Sequence, residues 1–117
     1  MSFRFRNFKV YQDSIEAYKF IVNITKDFPK EFTHLKEQMR RAALSVALNI
    51  AEGSAKNSDK DFNRYIGNSL GSSNETVACL EVALSAELIS QTEIDQGIKL
   101  YESITNQLGG LSKKLKS

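Results

Sequence analysis

Five polar residues in the first half of the chain are spaced so that their side chains would line one face of a helix. Intervals of three and four residues separate them, and this spacing aligns side chains along an α-helix. One interpretation is a binding site. The other is a structural network that fixes helix register or a subunit contact, because polar groups beside a core need partners. The five residues are Gln38, Arg41, Ser45, Asn49 and Glu52.

Two polar residues further along the chain, Ser72 and Glu75, are candidate partners for these five. An ion pair between Arg41 and Glu75 would neutralise both charges in a partly buried seam. We therefore expect Ser72 and Glu75 to face the five residues from a neighbouring helix. Together the seven residues are called the polar ladder below.

Residues suited to catalysis are few. The only histidine, His34, stands among charged neighbours, which is typical of a solvated surface residue. The only cysteine, Cys79, has apolar neighbours and no adjacent cation to lower the pKa of its thiol, which is typical of a core residue. One Cys and one His cannot form a Cys/His metal cluster, and the Glu-x-x-His pairs of di-iron bundles are missing. The sequence predicts a protein that is not an enzyme and holds no metal or cofactor.

The composition predicts one domain, residues 1–117, built from long helices. Of 117 residues, 41% are hydrophobic and 26% charged, a mixture typical of a globular domain. A single proline leaves the helices largely unbroken. No run of about 18 apolar residues is present, and charges occupy the N-terminal stretch where a signal peptide is apolar. We therefore expect a soluble, cytoplasmic protein with no membrane partner.

Apolar residues spaced three and four apart predict four helices, over about 11–27, 33–52, 59–89 and 93–115, after an N-terminal arm of residues 1–10. The short connections favour an all-α, antiparallel up-down-up-down four-helix bundle. The pair Phe28-Pro29 should end the first helix, and Gly53 stands where a left-handed C-cap would end the second. Ser58 and Thr92, each followed three residues later by Asp, are the expected N-caps of the third and fourth.

The third predicted helix carries a second stripe of mostly small residues. This stripe would admit another helix closely, either from a second subunit or from the same chain, and the sequence leaves both possibilities open. The stripe consists of Tyr65, Ser69, Ser72, Thr76, Cys79 and Ala83.

The net charge of +2 conceals an asymmetry between the two ends of the predicted bundle. In this topology residues 1–13, 49–64 and 108–117 lie at one end, and they carry nine basic against four acidic side chains. Residues 26–37 and 84–99, at the other end, carry a small acidic excess. The basic end is a candidate surface for phosphate backbones. Its nine basic residues, called the basic set below, are Arg4, Arg6, Lys9, Lys56, Lys60, Arg64, Lys113, Lys114 and Lys116.

Three phenylalanines alternate with basic residues in the N-terminal arm. Phe3, Phe5 and Phe8 stand beside Arg4, Arg6 and Lys9, a pattern suited to stacking on the bases of a single strand. The alternative is that the three rings attach the arm to the bundle.

The run from Gln38 to Gly53 resembles the central motif of a known family of four-helix bundles, the 23S rRNA intervening-sequence proteins, also called the S23 ribosomal protein family. The resemblance rests above all on its Asn-Ile-Ala-Glu-Gly core at residues 49–53, and it continues through residues 58–65 and 71–76. Tyr11-Gln12 and Phe28-Pro29 match an aromatic-Gln pair and a Phe-Pro helix stop in the family. Many members carry Pro where this chain has Val46-Ala47-Leu48, so we expect an unbroken second helix.

The resemblance implies a four-helix bundle that assembles into a homopentamer with no known enzymatic activity. Some members are encoded within intervening sequences of 23S rRNA genes, and a related accessory protein of retroelements binds nucleic acid and a reverse transcriptase. Five parallel copies in a ring would sum the basic ends to roughly +25 on one rim.

Two hypotheses for the function follow. The first is a homo-oligomer that binds RNA or DNA through its basic end by charge and shape, without reading bases. The second is a protein-interaction scaffold or accessory subunit whose basic charge only maintains solubility.

Overall fold

Four α-helices make up most of the computed structural model, which describes residues 2–117. They are α1 (Lys9–Thr25), α2 (Thr33–Ser54), α3 (Asp59–Ser85) and α4 (Gln91–Lys116). Two short 3-10 turns, Arg4–Asn7 and Lys30–Phe32, precede α1 and α2. Residues 2–117 contain no β-strand, so the all-α prediction is confirmed. Helix α2 is continuous through Ala47, as the missing proline predicts.

The connections between the helices differ in detail from the prediction. Helix α3 ends at Ser85, four residues early, because Glu87 adopts a left-handed conformation with φ of 61°. The Leu88 N–H then bonds the Ala83 carbonyl at 2.9 Å and closes the helix end. Helix α4 begins after Ser90 and not near Thr92: Ser90 and Glu93 form a complete capping box, which leaves Asp95 inside the helix.

Each helix contributes its apolar stripe to one core. The buried side chains at spacings of three and four residues exclude water along the whole bundle, which measures 44 × 24 × 20 Å. The largest of them are Ile21 from α1, Met39, Val46 and Ile50 from α2, Ile66 and Leu80 from α3, and Tyr101, Ile104 and Leu108 from α4.

Helices α2 and α3 pack closely where Gly53 meets the first turns of α3. A Cβ atom at Gly53 would lie 2.7 Å from the Tyr65 Cβ and 3.0 Å from a ring carbon of Phe62. The prediction of a left-handed C-cap at Gly53 is wrong: the helix continues to Ser54, and no glycine in residues 2–117 has a positive φ. Position 53 requires glycine because a neighbouring helix occupies the space of a side chain.

The stripe of small residues on α3 packs within the chain. Ser69, Thr76, Cys79 and Ala83 are buried, and the Ser69 hydroxyl donates to the Val46 carbonyl of α2 at 2.8 Å. The Thr76 hydroxyl donates to a carbonyl of its own helix. The intrachain alternative therefore accounts for this stripe.

Two residues, Arg4 and Phe8, attach the N-terminal arm to the bundle, and both contact the Phe62 ring. The Arg4 guanidinium donates two hydrogen bonds, of 2.9 and 3.1 Å, to the Ser54 carbonyl at the end of α2. It also lies over the Phe62 ring, 5.4 Å from the centroid. Phe8 stacks on the same ring at 6.5 Å. A cation at the negative end of a helix dipole is favourable, so Arg4 acts as a side-chain cap for α2.

We expect Gly53→Ala to lower the free energy of unfolding, because the added methyl group would collide with the backbone-bound Cβ of Tyr65. Overpacking costs about 1–3 kcal/mol. A Cβ only 2.7 Å from the Tyr65 Cβ belongs to the upper part of that range, which exceeds the gain of about 1 kcal/mol in helix propensity. Thermal unfolding followed by circular dichroism measures the difference. Gly109→Ala is the matched control, because its Cβ would meet no atom within 4 Å. Equal effects of the two substitutions would contradict the packing explanation.

We expect Arg4→Ala to destabilise the chain by about 1 kcal/mol or more, because it leaves the Ser54 carbonyl without its two charged donors. Arg4→Lys should recover only part of the loss, since an ammonium cannot reproduce the two-pronged contact. Arg6→Ala is the control, because the Arg6 side chain has no hydrogen-bond partner within residues 2–117. Urea unfolding midpoints that are identical for Arg4→Ala and Arg6→Ala would show that the arm contributes nothing.

Candidate nucleic-acid interface

Three segments that carry the basic set are in contact with one another. The arm reaches the end of α2 through Arg4 and Ser54, as described above. The start of α3 reaches α4, where the Ser112 hydroxyl lies 2.6 Å from Oδ1 of Asn63. The start of α1 reaches α4 as well, since Gln107 donates to Asp13 at 2.8 Å. The arm, the connection between α2 and α3, and the last turns of α4 thus form one continuous surface, called the basic end below.

Four members of the basic set are engaged within the chain. Arg4 caps α2, and Lys9 forms an ion pair of 2.6 Å with Asp13 one turn away. Lys56 and Arg64 both lie over the Tyr65 ring, at 5.0 and 5.5 Å from its centroid. Arg64 also approaches Asp61 at 3.9 Å. These contacts orient the four side chains and partly neutralise two of them.

The other five members are exposed, and none has a carboxylate within 4.0 Å or a side-chain hydrogen bond among the described residues. Exposed cations that no carboxylate neutralises attract anions from solution and are available to an anionic ligand. They are Arg6, Lys60, Lys113, Lys114 and Lys116.

The carboxylates at the basic end reduce the local charge only in part. The hydrogen bond from Lys9, and then that from Gln107, lower the pKa of Asp13 below its ordinary value, so this carboxylate stays ionised at neutral pH. Asp59 and Asp61 lie in the first turn of α3, where a negative charge favours the helix dipole. These two carboxylates therefore stabilise the start of α3 and also attract the neighbouring cations.

An apolar groove of about 430 Å³ runs between the start of α1 and the end of α4. Its lining includes the apolar residues Phe8, Val10 and Leu111 and the basic residues Lys9 and Lys114. The groove is an apolar surface between charged side chains, so the basic end presents both cations and apolar area to a ligand.

The polar ladder is only partly a network. Gln38 donates to Glu75 across the α2–α3 seam, and the Ser45 and Ser72 hydroxyls bond at 2.9 Å. Asn49 donates to the carbonyl and the hydroxyl of Ser45 at 2.9 and 3.0 Å. Five of the seven residues therefore link α2 to α3 or support that link.

Arg41 and Glu52, the remaining two ladder residues, are exposed and stand outside this network. Residues 2–117 contain no Arg41–Glu75 ion pair, and the Glu75 carboxylate accepts a hydrogen bond from Gln38 instead. The buried arginine contact belongs to the neighbouring residue: Arg40 donates to the Thr25 hydroxyl at 3.0 Å and to the Val22 carbonyl at 3.1 Å. Arg40 thereby ties α2 to the end of α1. No sequence signal separates Arg40 from Arg41, because both are arginines next to a core residue of the same helix.

Two buried side chains with ionisable groups, Cys79 and Tyr101, have raised pKa values. Burial, and then the charge of Glu75, raise the pKa of the Cys79 thiol, which keeps it protonated at neutral pH. Burial raises the pKa of Tyr101 well above its ordinary value, and the nearby Thr76 hydroxyl opposes this shift in part. His34 is exposed beside Phe32, with ring centroids 6.4 Å apart.

No grouping of three or more His, Cys, Asp or Glu side chains in the described part of the chain is close enough to hold a metal ion. None of the four helices combines the length and apolar character needed to cross a membrane.

Comparisons with known proteins agree with the four-helix architecture. The family model for the 23S rRNA-intervening sequence protein matches residues 6–110. A crystal structure of a protein of unknown function from the S23 ribosomal protein family of Bacteroides thetaiotaomicron VPI-5482 superposes with a TM-score of 0.82. The two sequences are 26% identical, and the match covers 89% of this chain and 95% of that one. No curated protein matches significantly. The chain therefore belongs to the 23S rRNA-intervening sequence protein family.

Proposed function

We propose that this protein is a non-enzymatic, cytoplasmic homo-oligomer that binds RNA or DNA through its basic end. The observation that carries the proposal is the joining of three basic segments into one surface, on which five cations have no carboxylate partner among residues 2–117. Like charges held together in this way repel one another, and a phosphate backbone relieves the repulsion as it binds. The contacts are to phosphates, so binding depends on charge and shape and not on base sequence.

We infer an antiparallel topology, with helices running up, down, up and down, and the contacts between α2 and α3 support it. Contacts between α2 and α3 proceed from Gln38 with Glu75, through Ser45 with Ser72, to Gly53 with Phe62. As residue numbers rise along α2, the numbers of the contacting residues in α3 fall, as they do for antiparallel helices.

Oligomer formation is supported by exposed leucines on α2 and exposed glycines on α3. Leu44 and Leu48, one turn apart on α2, are 40% and 54% exposed. Gly67 and Gly71, one turn apart on α3, face open space although each costs about 1 kcal/mol relative to Ala in a helix. Another copy packed on this surface would bury the two leucines, and the two glycines would allow its backbone to approach α3 closely. We propose a pentameric ring, which the family resemblance implies.

A protein-interaction scaffold or accessory subunit is the second candidate. Val82, exposed by 54% on α3, adds to the apolar surface outside the basic end, and a protein partner could cover it. Binding to a generic RNA at low and high salt separates the candidates. Phosphate contacts predict an affinity that falls by about 0.7–0.9 log units per contact for each log unit of salt. Absence of binding at low salt favours the scaffold.

We expect the double substitution Lys60→Glu with Lys113→Glu to weaken binding of a generic RNA by roughly tenfold or more at low salt and to flatten its salt dependence. Both lysines are exposed, so helicity should not change. Fluorescence anisotropy of a labelled RNA measures the affinity.

The matched control is Lys26→Glu with Lys30→Glu, which changes the net charge equally on the connection between α1 and α2. This control should reduce the affinity only slightly. Equal losses in the two double variants would show that the net charge, and not the basic end, determines binding.

We expect light scattering of the purified protein to give a mass of about five times the 13.2 kDa chain. Leu48→Glu should lower that mass while preserving the helical circular dichroism spectrum, because a charge would then be buried between copies. Lys19→Glu, a surface substitution on α1, is the control. A wild-type mass of one chain would contradict the ring.

A further inference from the structure

A recess of about 730 Å³ lies over the N-terminal arm at the basic end. Its volume falls within the range of about 300–1,000 Å³ that is typical of small-ligand sites. Its lining combines an aromatic ring, two guanidinium groups and two side-chain amides. The lining residues are Ser2, Phe3, Arg4, Arg6, Asn7 and Gln12.

Phe3 is the exposed aromatic residue of this recess, with 60% of its surface open to solvent. Its ring stands edge-to-face with Phe5 at 6.2 Å, and Phe5 stands edge-to-face with Tyr11 of α1 at 4.8 Å. This chain of rings supports Phe3 from the bundle side. Phe5 and Phe8 attach the arm, whereas Phe3 is held in place with much of its ring uncovered.

The polar groups around Phe3 are only partly used within the chain. Arg4 is committed to the Ser54 carbonyl, but the Arg6 guanidinium has no partner in residues 2–117. The Gln12 amide donates to the Arg6 carbonyl at 2.9 Å, which fixes its orientation and leaves Oε1 as an acceptor. The Asn7 side chain makes no hydrogen bond to another described residue. The recess therefore offers the Arg6 guanidinium, the Gln12 Oε1 acceptor and the whole Asn7 amide beside the exposed Phe3 ring.

We propose that this recess binds one nucleotide of a single-stranded nucleic acid, with the base stacked on Phe3 and its phosphate on Arg6. Asn7 and Gln12 line the same recess, and their amides can bond the sugar or the phosphate, as amides do in nucleic-acid complexes, without reading the base. Bases in a duplex are already stacked and closed to a protein ring, so the recess selects single strands. This inference rests on the proposed function and specifies the form of its ligand.

Phe3→Ala should weaken binding of single-stranded oligouridine by roughly tenfold, since stacking of one base on an aromatic ring contributes substantially to affinity. Binding of a duplex RNA of the same length should not change. Anisotropy with the two labelled RNAs measures both affinities. Val82→Ala, which removes another exposed apolar side chain outside the basic end, should alter neither.

Phe3→Trp provides a second measurement, because the chain contains no other tryptophan. This variant should retain single-strand affinity, and oligouridine should quench its fluorescence while the duplex does not. Unchanged single-strand affinity in Phe3→Ala, equal losses for both RNAs, or no selective quenching would overturn the recess inference. The proposed function would stand in those cases, whereas it fails if the wild-type protein binds neither RNA.

Discussion

The close approach of α2 and α3 at Gly53 is the constraint on which the arrangement of the basic end depends. With hydrogen in place of a side chain, α2 packs against the first turns of α3, and Phe62 becomes a platform beside the α2 terminus. Arg4 and Phe8 both use that platform, so the arm is positioned by the same contact. A wider separation of these helices would remove the partner of the arm and disperse the basic segments.

Electrostatic repulsion at the basic end is moderated by contacts that act on individual cations. Lys9 has a carboxylate partner, and Lys56 and Arg64 both lie over the ring of Tyr65. Such contacts are worth about 0.5–1 kcal/mol each at exposed positions, so they orient side chains more than they stabilise the fold. The buried apolar core, to which all four helices contribute, stabilises the fold and offsets the repulsion among the remaining cations.

Apolar spacing was sufficient to predict the all-α class and the existence of four helices, because side chains three and four residues apart share a buried face only when the backbone is helical. The chemistry of single positions was harder to predict. Gly53 resembles a helix cap in sequence, and only the distance to Tyr65 shows its packing role. Arg40 and Arg41 are indistinguishable by type, and the rotation of the helix between neighbouring residues decides which of them reaches Thr25. Arg4 resembles the other cations of the basic set until its contact with Ser54 is seen.

The left-handed conformation of Glu87 has a consequence for how the molecule opens. A side chain in this conformation costs about 1–2 kcal/mol, and burial of Ile89 just beyond the turn offsets that cost. Local backbone preference and tertiary packing therefore oppose each other between α3 and α4, whereas they agree within the helices. Partial unfolding should begin at this frustrated turn, and amide hydrogens near Glu87 would exchange with solvent before those of the helix centres.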